Sequence, residues 1–281
     1  MESQLKSTLY TSSILLALSL SACGGNNAPA PSSNIKITSV TSDQMVYRKN
    51  TVITVKGEHL DEDFNMTNKA CLSITPLSGS TANQKSFSCK IVGVGQQGLV
   101  ITDRNGKTVY SENLNIPLAK QPQVTMTTSL GTIVLELNPA KAPVSVDNFL
   151  NYTESGFYVN KIFHRVISNF VIQGGGYTAD LNLATTQAPI KLEANNGLSN
   201  LRGSIAMART SAPDSATSQF FINVVDNPNR DTTSGGYAVF GKVVSGLDIV
   251  DKIKAVPTGA RGGLTDVPNT AITISSMLQT Q

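Results

Sequence analysis

The chain of 281 residues contains no tryptophan, only two histidines (His59 and His164) and only three cysteines (Cys23, Cys71 and Cys89). Metal-binding His and Cys come in tight clusters, and none is formed here, so no metal is expected. Charge is also sparse. Charged residues make up 15% of the chain, with 22 Lys and Arg against 19 Asp and Glu for a net charge of +3. The basic residues are scattered and form no block, which removes the electrostatic footing for nucleic-acid binding. Long hydrophobic runs are missing too. The longest, residues 9–20, falls short of the ~20 apolar residues that a helix needs to cross ~30 Å of hydrocarbon. Gly174-Gly175-Gly176-Tyr177-Thr178-Ala179 loosely fits a dinucleotide-binding loop, but no helix pattern follows and no βαβ unit surrounds it, so no cofactor is expected. The apolar fraction, 40%, suffices for the core of one large domain or two modest ones.

The amino terminus reads as a targeting segment. Lys6 gives a weak positive flank, and residues 9–20 have the length of a signal-peptide apolar region. The run ends in Leu20-Ser21-Ala22-Cys23, which resembles the lipobox of bacterial lipoproteins. The resemblance implies cleavage after residue 22, lipid on Cys23 and anchoring to a membrane; an ordinary signal peptide is the alternative. Residues 23–33 then form a lipidated cysteine and a flexible tether rich in Gly, Asn, Pro and Ser. Gly24 follows the cysteine instead of the Asp typical of inner-membrane lipoproteins, which favours the outer membrane, facing the periplasm or the cell surface. With Cys23 assigned to lipid, Cys71 and Cys89 form an even pair in an exported chain and read as a disulfide, with two buried free thiols as the alternative.

Two textures follow. Residues 34–118 alternate apolar and polar in short β-branched runs, such as Val52-Ile53-Thr54-Val55-Lys56-Gly57 and Gly98-Leu99-Val100-Ile101-Thr102. Asp103-Arg104-Asn105-Gly106 supplies a hairpin turn. This spacing predicts a small β-sandwich of immunoglobulin-like type. The prolines around residues 117–123 mark a junction. Beyond it, residues 124–137 read as a β-hairpin. A helix after Pro143 buries Val146, Phe149, Leu150 and Thr153 and stops at Gly156. A second helix carries Ile249, Val250 and Ile253, and Ala271-Ile272-Thr273-Ile274 is a closing strand.

This second region carries the chemistry. Phe163-His164-Arg165-Val166-Ile167 is followed by Phe170 and Gln173-Gly174-Gly175-Gly176, and then by Ala206-Met207-Ala208-Arg209 and Ser218-Gln219-Phe220-Phe221-Ile222-Asn223. Phe240-Gly241-Lys242 and Gly246-Leu247-Asp248 come later in the same order. This series resembles the core signature of the cyclophilin family of peptidyl-prolyl cis–trans isomerases, over residues 122–278. The resemblance implies a mainly β fold: a closed eight-stranded barrel with two capping helices, here preceded by the sandwich. It implies an enzyme without cofactor whose partners are proline-containing polypeptides. Arg165 would donate to the prolyl nitrogen of the twisted amide. Gln173 would orient Arg165 and contact the substrate backbone. Phe221, Phe170 and Val171 would line the proline pocket, with Gln219 deeper in the same network. Backbone groups of Ala208 and Arg209 would pair with the peptide. His164 would be structural, hydrogen-bonded inside the barrel.

Three positions depart from the family. Asn229 and Arg230 stand where an aromatic residue and a Leu normally close the proline pocket, within the polar stretch 226–231. Tyr237 stands where many members carry His. These changes count against cyclosporin binding. The function expected is isomerisation of prolyl bonds in exported proteins, assisting folding outside the cytoplasm. The alternative is a cyclophilin-fold chaperone or surface-binding lipoprotein with weak or no isomerase activity.

Overall fold

The computed structural model describes residues 33–118 and 120–281. The lipobox, Cys23 and most of the expected tether lie outside the described residues.

The first seven strands are β1 (Lys36–Ser42), β2 (Asn50–Glu58), β3 (Phe64–Asn68), β4 (Cys71–Pro76), β5 (Gln84–Ile91), β6 (Gly95–Asp103) and β7 (Thr108–Ile116). They form a four-stranded sheet, β1-β2-β5-β4, and a three-stranded sheet, β3-β6-β7. Alternation decides which side of each strand is dry. Ile53 and Val55 of β2, Ile91 of β5, and Leu99 and Ile101 of β6 all turn into one shared core. Cys71 and Cys89 are joined in a disulfide between the adjacent strands β4 and β5, with Cα atoms 5.4 Å apart.

The remaining chain builds a barrel from β8 (Gln123–Thr128), β9 (Gly131–Leu137), β10 (Lys161–Val166), β11 (Val171–Thr178), β12 (Ser204–Met207), β13 (Phe220–Asn223), β14 (Val239–Ser245) and β17 (Ile274–Gln279). The two strands β15 (Thr258–Arg261) and β16 (Leu264–Pro268) make a separate hairpin. The sheet runs β10-β11-β13-β12-β14-β9-β8-β17. It closes where the Phe163 amide donates to the Ile272 carbonyl (3.0 Å) and the Asn160 amide to that of Ile274 (2.8 Å). The closing strand therefore starts later than the sequence predicts. Ile272 and Thr273 serve as the seam to β10, and the pairing with β8 begins only at Ile274.

Two helices, α1 (Pro143–Glu154) and α2 (Leu247–Lys254), add Val146, Phe149 and Leu150, and Ile249, Val250 and Ile253, to the barrel core. Phe149 sits among Tyr158, Phe220 and Phe240 with ring centroids 5.1–5.6 Å apart. Aromatic rings fill the barrel interior, so a peptide has no room there and any binding site must lie on an outer face.

Candidate active site on the outer face of the barrel

Strands β10, β11, β13 and β12 are neighbours, and their register aligns Arg165 with Gln173, Gln173 with Phe221, and Phe221 with Ala206. Residues paired directly across a sheet stand ~4.5–5.5 Å apart on the same face. The two-residue period then sorts the strands. Ile172, Phe220, Ile205 and Met207 enter the barrel core, while Val171, Phe221 and Ala206 join Ala208 and Val239 in a second apolar cluster outside it. This explains why Phe220-Phe221-Ile222-Asn223 shows no alternation: β13 is buried on both faces.

Over this outer cluster lies a cavity of about 260 Å³ lined by Arg165, Phe170, Val171, Gln173, Ala208, Arg209, Phe221, Arg230 and Tyr237. The resemblance places all nine at the groove, Arg230 and Tyr237 as departures from the family's usual residues. Gln219 stands just behind, its Oε1 accepting a 3.0 Å hydrogen bond from Gln173 Nε2. Gly176 makes room for it, since a Cβ there would come within 2.7 Å of the Gln219 side chain. Tyr237 meets Phe221 edge to face at 5.7 Å and carries the Arg209 guanidinium over its ring at 4.5 Å. The Ala208 amide donates to the Gln219 carbonyl at 2.9 Å, so it is already engaged within the fold.

Three expectations need correction. Gln173 donates to Gln219 and makes no hydrogen bond to Arg165. The partner of Arg165 is Asp266 on β16, 3.8 Å from its Nε, with the Arg side chain 38% exposed. His164 is buried against the Tyr177 ring at 4.6 Å, but its Nδ1 finds no hydrogen-bond partner. Burial, helped by the charge of Arg165, lowers its pKa to about 4, so the ring is neutral. Asn229 is exposed and does not line the cavity, while Arg230 does and lies over the Phe170 ring at 4.9 Å.

The polar stretch 226–231 is a hydrogen-bonded rim. Asn227 Nδ2 donates to the Phe170 carbonyl (3.0 Å) and to Asn223 Oδ1 (2.8 Å), and Asn223 Nδ2 donates to Asn200 Oδ1 (3.2 Å) and Ser204 Oγ (2.9 Å). Asp231 accepts from the Asn200 amide and side chain, both at 2.8 Å, and from Ser199. Burial pushes the Asp231 carboxyl up, but these donors outweigh it and hold the pKa below its ordinary value. The network fixes the backbone of Phe170 from behind. A larger hollow of about 490 Å³ borders it, lined in part by Leu137, Leu198, Leu201 and Val239; its cations Arg202 and Lys242 are paired with Asp251 and Glu136.

An outward row of Arg, Gln and Phe beneath an open cavity, on a closed barrel with two helices, defines a class of protein to which sequence comparison assigns a name. Residues 123–279 match the family described as cyclophilin type peptidyl-prolyl cis-trans isomerase/CLD, and the chain belongs to that family. A peptidyl-prolyl cis-trans isomerase of Acinetobacter baylyi is 56% identical over 156 residues, covering 55% of this chain and 83% of that protein. Peptidyl-prolyl cis-trans isomerase A of Dickeya dadantii is 56% identical over 155 residues, covering 54% and 82%. Peptidyl-prolyl cis-trans isomerase B of Escherichia coli is 54% identical over 159 residues, covering 55% and 97%.

Proposed function

We infer that the barrel isomerises prolyl peptide bonds. The unaided reaction takes ~10–100 s at 25 °C, because rotation breaks the double-bond character of the amide. No nucleophile, base or metal is needed, only tighter binding of the twisted amide than of either planar form. On twisting, the prolyl nitrogen regains a lone pair and becomes an acceptor. Arg165, always charged and held at the edge of the cavity, supplies the donor. A charge-assisted hydrogen bond of ~1.5–3 kcal/mol made only in the twisted state gives roughly tenfold to a hundredfold in rate. Phe170, Val171 and Phe221 offer the apolar wall for the ring, and Gln173, tied to Gln219, offers a fixed polar group for the peptide backbone.

The observation that carries this reading is the cross-strand row Arg165–Gln173–Phe221 beneath the cavity. Arg165→Ala is expected to cut kcat/KM on an Ala-Pro peptide at least about tenfold with the circular dichroism spectrum unchanged, since the lost interaction acts on the transition state. A fully active Arg165→Ala protein defeats the reading.

We further propose that the enzyme works outside the cytoplasm on folding exported proteins, anchored by lipid on Cys23. The lipobox-like sequence and a disulfide, which persists in oxidising compartments, support this. Each buried CH₂ contributes ~0.8 kcal/mol, so two or more acyl chains hold firmly. Cys23→Ala is expected to move the protein from the membrane to the soluble fraction, and an intact mass without acyl groups in the wild type contradicts the anchor.

A further inference from the structure

We propose that this isomerase selects prolines flanked by an acidic residue and that Arg230 makes the selection; the proposal rests on the isomerase reading above. Three guanidiniums line the cavity, those of Arg165, Arg209 and Arg230, and no carboxylate does. They are not neutralised alike. Arg165 has Asp266 at 3.8 Å. Arg209 directs its N–H groups to the carbonyls of Thr210 (2.9 Å), Ser234 (2.6 Å) and Gly236 (2.6 Å), which satisfies its donors but leaves its charge.

Arg230 has neither kind of partner. Among the described residues its side chain makes no ion pair or hydrogen bond, and its Nε is buried without an acceptor. The Phe170 ring, 4.9 Å from Cζ, holds the guanidinium in place without using any of its donors. The adjacent carboxylate, Asp231, is turned away onto Ser199 and Asn200. A permanently charged guanidinium that lines a binding cavity with no carboxylate beside it attracts an anionic group of the substrate. A carboxylate suits it best, because the planar fork of a guanidinium matches two carboxylate oxygens. The surrounding positive charge of Arg209 adds attraction of the same sign. The residue that removes apolar closure from the pocket thus supplies a charge in its place, and a substrate side chain of Asp or Glu next to the proline completes the wall.

The test compares short proline peptides that differ only in the residue beside the proline, Glu against Gln and Asp against Asn, on either flank, using the full-length protein. The acidic member of at least one pair is expected to show a kcat/KM about fivefold higher or more at low salt, which corresponds to about 1 kcal/mol at ~1.36 kcal/mol per tenfold. The ratio should fall toward one in about 0.5 M NaCl as the charges are screened. Arg230→Gln is expected to abolish the ratio and Arg230→Lys to retain part of it. A ratio near one in the wild type, or one unchanged by salt or by Arg230→Gln, overturns the proposal while leaving the isomerase reading intact. Inactivity on every peptide overturns both.

Discussion

His164 and Arg165 are adjacent at a bulge in the β10–β11 register, and both line a shallow hollow with Gln173, Tyr177 and Gln219. The histidine ring is 5% exposed, packed on Tyr177, and its Nδ1 is unpaired. Burial and the charge of Arg165 lower its pKa from 6.5 to about 4. The sign of the pH effect follows. The unfolded chain takes up a proton near pH 6.5 and the folded chain only near pH 4, so stability is full above pH 6.5 and falls as pH drops through this window. Urea midpoints measured from pH 7 to pH 4.5 are expected to fall more steeply for the wild type than for His164→Phe, which keeps an aromatic ring and loses the titration. Parallel curves contradict a neutral buried histidine. At this scale the legible residues were those carried by the motifs that resemble the cyclophilin signature: Arg165, Gln173, Gln219 and Phe221. Asp266 was not legible, because it reaches Arg165 only when the hairpin of β15 and β16 folds back against β10 from a hundred residues away. Asn229 and Arg230 could not be told apart either. They lie in a single 3₁₀ turn, Pro228–Asp231, where adjacent side chains diverge by ~120° and only the fold decides which one faces the cavity.

Elements were read well where a period was sustained. Both helices showed three or four apolar residues on one face, and Gly156 marked the end of the first. β3 was missed, since Phe64-Asn65-Met66-Thr67-Asn68 has only two apolar residues and polar neighbours. Its identity depends on pairing with β6, a long-range contact without local signature. The disulfide is an element-scale device. It links β4 to β5 across a bulge in their register, closing a loop with a sequence separation of 18. In the chain-entropy account a loop of about this length is worth ~3 kcal/mol, a large share of the stability of a module below ninety residues. Adding reductant is expected to lower the melting temperature of the amino-terminal sheets and leave the barrel transition nearly unchanged, as followed by calorimetry. Two titratable thiols in the protein purified from its own cells without reductant contradict the bond in the cell.

At the scale of the whole molecule, the two sets of strands keep separate cores but share a buried electrostatic joint. Asp147 and Asn151 of α1, with Glu154 one turn on, form a stripe on the helix away from Phe149 and Leu150. Arg48 from the amino-terminal sheets reaches all three: Asp147 at 3.0 Å, Asn151 at 2.6 Å, and Glu154. Lys90 of β5 adds 2.7 and 2.9 Å contacts to the same Asp147, whose side chain is 2% exposed. Sequence periodicity identifies this stripe as polar but cannot separate a face in water from one docked on another module. Removing one partner from a fully buried ion pair costs about 3–5 kcal/mol. Here the cations remain 15% and 29% exposed and can partly rehydrate, so Asp147→Ala is expected to cost on the order of 2–3 kcal/mol. Calorimetry should then show the amino-terminal sheets melting further below the barrel than in the wild type, with faster proteolysis between residues 117 and 123. Isomerase activity should stay within about twofold, because α1 supplies no residue to the cavity. An unchanged melting profile in Asp147→Ala shows that the joint is incidental. A matching loss of activity shows instead that the amino-terminal sheets hold the barrel in its working shape.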